Sequence, residues 1–110
     1  MAARFYTEKP KTLLRKFNEA IDAGEIRTWE RDADGDYTHK ASQWAKKAWF
    51  RPRTFEDRLV FNILRPEGKS VDRTVYGYYH GHLIETFLVH FEENFTTGAA
   101  TAKPTSDDLV

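Results

Sequence analysis

The stretch Arg58-Leu59-Val60-Phe61-Asn62-Ile63-Leu64-Arg65 decides the fold. Leu59, Phe61 and Ile63 fall at every second position, and Arg58, Val60, Asn62 and Leu64 fill the places between. That is the period of a strand, with successive side chains on opposite faces. Pro66 to Ser70 continues as turn chemistry. Residues 73–80 then read as the antiparallel partner, with Thr74, Tyr76, Tyr78 and His80 on one face. Beyond it, Ile84, Phe87, Leu88, Phe91 and Phe95 recur at helical spacing, so 82–96 reads as an amphipathic helix stopped near Gly98. Residues 99–110 are small, polar and proline-containing and read as a flexible tail, which puts the globular domain at 1–98.

Upstream of the strand, residues 41–53 read as a short turn of helix and then a strand. Pro52 lacks the N–H that an interior ladder uses, which makes that strand an edge. Ile26 to Arg31 and Tyr37 to His39 read as a hairpin closed by Asp32-Ala33-Asp34-Gly35. Residues 10–23 read as a helix, with Pro10 at its first position and Gly24 just past its end. Its apolar stripe is Leu13, Leu14, Phe17, Ala20 and Ile21. The predicted class is α+β: an antiparallel sheet of about four to five strands flanked by an N-terminal and a C-terminal amphipathic helix, in the order α-β-β-(β)-β-β-α.

The chain has 110 residues, enough for a single core. Its 17 basic and 17 acidic residues cancel, which excludes a bulk polycation while allowing a local patch. Cysteine is absent, which excludes disulfides, thiolate catalysis and cysteine zinc sites. No apolar run is long enough to span a bilayer, and Met1 to Pro10 lacks a secretory core, so no membrane association and a cytoplasmic location are expected.

The local patch lies between Tyr37 and Phe55, where no acidic residue occurs. Lys40, Lys46, Lys47, Arg51 and Arg53 alternate there with Trp44, Trp49 and Phe50. Cations hold anions and exposed indoles stack or anchor. Lys40, Lys46, Lys47, Trp49, Arg51 and Arg53 are therefore expected to form a partner-binding surface. An acidic protein partner, a second copy in a homodimer, or nucleic acid would suit it. The ordinary alternative is that the tryptophans are core and the cations merely face water.

Two motifs suggest metals. On a strand, His80 and His82 would share a face, and Glu85 would lie one turn into the next helix. Two imidazoles and a carboxylate would suit zinc, either in a metal-binding protein or in a metal-dependent enzyme. A histidine bonded to backbone is the ordinary reading. Asp32-Ala33-Asp34-Gly35-Asp36 resembles the opening of an EF-hand calcium loop. However, Tyr37 stands where that loop needs glycine, and Gln43 where it needs glutamate, so a hairpin turn is expected. Gly68-Lys69-Ser70 lacks the upstream glycine and downstream helix of a phosphate loop. No catalytic residues are singled out, and no cofactor other than zinc is suggested. Tyr76 and Tyr78 suit an interface rim, and Asp107 to Val110 suits pairing with the edge of a sheet.

Overall fold

The computed structural model describes residues 2–110. Its elements run β1 Ala3–Tyr6, α1 Pro10–Asp22, β2 Trp29–Arg31, β3 Tyr37–His39, β4 Trp49–Thr54, β5 Arg58–Leu64, α2 Arg73–His90 and β6 Thr97–Ala100. The six strands form one antiparallel sheet in the order β2-β3-β4-β5-β1-β6. The class is α+β as expected, but the strand count and order differ. A strand precedes α1 and another comes after α2.

β5 alternates as its sequence requires. Leu59, Phe61 and Ile63 are sealed against the helices. Phe61 lies between Phe17 of α1, 5.9 Å away, and Phe87 of α2, 5.7 Å away. Phe5 of β1 stacks on Phe87 at 4.2 Å, so β1 belongs to the same core. Both helices therefore cover one face of the sheet. Val60 and Asn62 are buried too, but they point to the other face and lie outside this cluster.

Pro52 is in an interior strand, not an edge. β4 bonds β5 through Trp49, Arg51 and Arg53, in register with Leu64, Asn62 and Val60. The amide positions of residues 50, 52 and 54 therefore face β3. β3 meets β4 only at the pair Tyr37 and Phe50, so position 52 lies past the end of β3 and no ladder bond is forfeited.

Residues 73–80 are helix, not strand. Asp72 caps α2, its side chain accepting from the Val75 amide at 2.8 Å. The buried residues Val75, Tyr76, Tyr79, His80, Leu83, Thr86 and Phe87 trace one helical stripe. Tyrosine and valine favour strands, and Gly77 and Gly81 weaken a helix by about 1 kcal/mol each, so the local signals oppose the outcome. Packing of the stripe against the sheet overrides them. The helix ends at His90 rather than 96. Phe91 and Phe95 stay buried, but on the turn that leads into β6.

Ala99 and Ala100, assigned to the tail by composition, are the second half of β6 and pair with Arg4 and Ala3. Residues 101–110 also lie against the sheet. The Thr101 amide donates to Ala2, and Leu109 forms a parallel bridge with Leu64. Among the described residues, no helix is long and apolar enough to cross a membrane.

Candidate functional site

The face of the sheet away from the helices carries the cations. Trp49, Arg51 and Arg53 of β4 point to it, with Phe55 continuing the row. In register beside them come Arg58, Val60, Asn62 and Leu64 of β5, then Arg4 and Tyr6 of β1. Trp49 is half-buried, while Arg51 and Arg53 are exposed. The Arg53 and Arg58 guanidinium groups lie 5.1 and 4.9 Å from the Phe55 ring centre, near enough for cation–π attraction.

Three of these arginines already hold carboxylates, Arg58 pairing with its neighbour Asp57 at 2.7 Å. Arg51 donates from Nε and Nη2 to both oxygens of Asp36, at 3.0 and 2.8 Å. This bidentate bond, helped by the charge of Asp36, raises the Arg51 pKa further. Arg53 donates to Asp107 of the C-terminal segment at 3.1 Å. Arg4 donates from Nε to the Tyr6 hydroxyl at 3.0 Å, and its Nη1 is buried without a partner.

Lys40, Lys46 and Lys47 are exposed in the loop between β3 and β4. Lys46 sits at φ 59°, in the left-handed region that favours glycine, with its amide donating to Thr38 Oγ1. The aromatic residues of the patch part company. Phe50 is core, and Trp44 stacks on Tyr78 of α2 at 3.9 Å with planes 8° apart, so Trp49 is the indole that joins the arginines.

The proposed metal ligands do not converge. All three lie on α2, where positions two apart point to different sides of the helix. His80 is buried between Tyr76 and Phe50, its Nδ1 bonding the Tyr76 carbonyl at 2.7 Å. Its Nε2 has no partner, and burial lowers its pKa. His82 does meet Glu85, Nε2 to Oε1 3.4 Å, but its other nitrogen turns to His39 at 2.6 Å.

From the sequence, His39 could join His80 and His82 only through a tertiary contact, and the fold makes that contact with His82. The Ala41 amide donates to His39 Nδ1 at 3.0 Å, so the His39 proton is on Nε2 and donates to His82 Nδ1. His82 then carries its own proton on Nε2, toward Glu85. Burial, and secondarily the charge of His82, lower the His39 pKa to about 4. Trp29, Tyr78 and Tyr79 surround the pair. Only the fold places position 39 over position 82, so no local spacing marks the contact.

Asp32, Asp34 and Asp36 each bring a carboxylate oxygen within 4.8 Å of the others. Their bonds are those of a turn. Asp32 Oδ1 accepts from the amides of Asp34 and Asp36, and Gly35 takes φ 84°. Arg4, Tyr6, Phe55 and Arg58 complete the helix-free face around the buried Val60 and Asn62 and were not anticipated as site residues.

Comparisons of the chain with protein-family models, curated proteins and solved structures give no match.

Proposed function

We propose that the chain is a non-enzymatic binding module and that the helix-free face of its sheet takes an acidic segment of a protein partner. The observation that carries this reading is the row Trp49, Arg51, Arg53 and Phe55, placed side by side on a face no helix covers. An arginine-rich surface with an indole anchor is the composition of an interaction centre. Carboxylate is the favoured ligand chemistry because Arg51 and Arg53 hold carboxylates in the resting molecule. A neutral net charge provides little long-range pull on a polyanion such as nucleic acid. Lys46 adds a second support. A lysine in the left-handed region costs about 1 kcal/mol that a glycine would not, and exposed residues held that way often serve contact.

The test titrates a dye-labelled oligoglutamate peptide and, separately, dye-labelled single-stranded DNA with the full chain, following ligand anisotropy at low and physiological salt. The peptide is expected to bind, and Trp49→Ala to weaken binding at least tenfold while stability stays within about 0.5 kcal/mol. Lys46→Gly should weaken binding without loss of stability. Binding of the oligonucleotide alone would transfer the site to nucleic acid, and binding of neither at low salt would refute it.

A further inference from the structure

β5 is longer than its neighbour. Among the described residues β1 pairs only with Arg58–Phe61 of β5, and the backbone of Ile63 faces that side beyond the last of these pairs. Residues 105–110 fill the gap. Ile63 donates its amide to Asp108 Oδ1 at 3.1 Å and accepts from the Leu109 amide at 2.9 Å. The Arg65 amide donates to the Leu109 carbonyl, and Asn62 Nδ2 to Asp108 Oδ1 at 2.9 Å. Asp108 Oδ2 takes the Thr105 amide at 2.7 Å and its hydroxyl at 3.1 Å. The end of β5 is thus a strand-accepting slot that reads one buried carboxylate and then extended backbone.

We infer that this slot is a peptide-binding site and that its occupant is exchangeable, so that residues 105–110 of a second copy of the chain can replace the resident segment. The resident strand is held narrowly. Asp108 is buried, but Leu109 and Val110 remain 51% and 37% exposed and contribute little apolar burial. Asn62 Oδ1 is buried in the slot with no donor, a cost the resident segment leaves uncompensated. The linking residues Ala102, Lys103 and Pro104 are all exposed, so the segment can leave without disturbing the core. The strand shown to fit the slot is the chain's own, which makes a second copy the matching partner. Two copies exchanging segments would form an isologous dimer, each slot filled by the other. The slot shares one contact with the open face, the Arg53 bond to Asp107, but its anchors are Asn62, Ile63 and Arg65 rather than Trp49.

The intramolecular segment competes at high effective concentration, so the test removes it within the full chain. A labelled peptide, Thr101 to Val110, is titrated against the wild-type chain and against Asp108→Ala. Binding is read by anisotropy and by the amide shifts of Ile63 and Arg65. The variant is expected to bind the peptide at least tenfold more tightly than wild type, and a peptide carrying the same Asp108→Ala change should bind to neither. Asp108→Ala, with a sound slot, mixed with Asn62→Ala, with a sound segment, should sediment as a dimer while each alone is a monomer. If Asp108→Ala does not fold, Leu109→Pro serves instead, since it removes the bond to the Ile63 carbonyl and leaves the buried carboxylate paired. A folded variant that binds neither peptide nor partner chain overturns the inference, as does equal binding of the altered peptide. Shifts confined to Trp49 would bear on the open face alone and would equally overturn the slot.

Discussion

Acid should weaken this protein through His39. Its Nδ1 accepts the Ala41 amide and its Nε2 already donates to His82, so an added proton must go to Nδ1, against the Ala41 N–H. The groups facing it are His82, with Glu85 behind, and the rings of Trp29, Tyr78 and Tyr79. Its folded pKa is lowered from 6.5 to about 4. The unfolded chain therefore binds the proton first as pH falls. The stabilisation is complete above about pH 6.5, declines between 6.5 and 4, and is gone below 4. At about 1.36 kcal/mol per pKa unit, the loss is on the order of 3 kcal/mol. His80, also lowered by burial, adds to the decline in the same direction. Its share cancels when wild type is compared with His39→Asn, whose Oδ1 can still accept the Ala41 amide. Urea unfolding of both chains at pH 7.5, 6, 5 and 4 measures the difference. Wild type should lose on the order of 3 kcal/mol more than the variant over this range. Parallel curves, or a His39 resonance titrating near 6.5 in the folded state, would refute the assignment.

Three other outcomes are expected. A Cβ on Gly98 would lie 3.0 Å from two Phe5 ring atoms, and Phe5 is packed among Phe61, Phe87 and Phe95. Gly98→Ala should therefore cost about 1–3 kcal/mol, measured by thermal unfolding. Asp108→Ala strips the partner from the Asn62 amide and the Ile63 N–H, and should cost about 1–3 kcal/mol in denaturant unfolding. The Tyr37 hydroxyl donates to Asn18, and burial raises its pKa to about 12. Ultraviolet titration should show late-ionising phenols at Tyr37 and at Tyr76, whose pKa burial also raises, and Tyr37→Phe should remove one of them.

Much of the frame was legible from local chemistry. α1 was bounded by Pro10 and Gly24, the β2–β3 hairpin by its aspartate-rich turn, and β5 by its run of strand-forming residues with Leu59, Phe61 and Ile63 at every second place, because each rule acts within a few residues. The stretch 73–80 was not, since Val75, Tyr76, Tyr78 and Tyr79 satisfy a period of two as readily as a helical stripe. Asp72 was the discriminating signal, but an aspartate caps a helix or shapes a turn according to the packing of the residues after it. β1 and β6 are four residues each, too short to declare a period, and they exist because the sheet supplies their partners.

The sequence by itself determined the α+β class, the aromatic core and the concentration of cations around Trp49, all consequences of composition and short-range spacing. Tertiary structure alone decided which cations meet. It sent Trp44 to α2 and Trp49 to the open face, joined His39 to His82 rather than His82 to His80, and laid residues 105–110 along β5. Each of these contacts joins residues whose spacing along the chain carries no period, and the packing of helix on sheet selects among them.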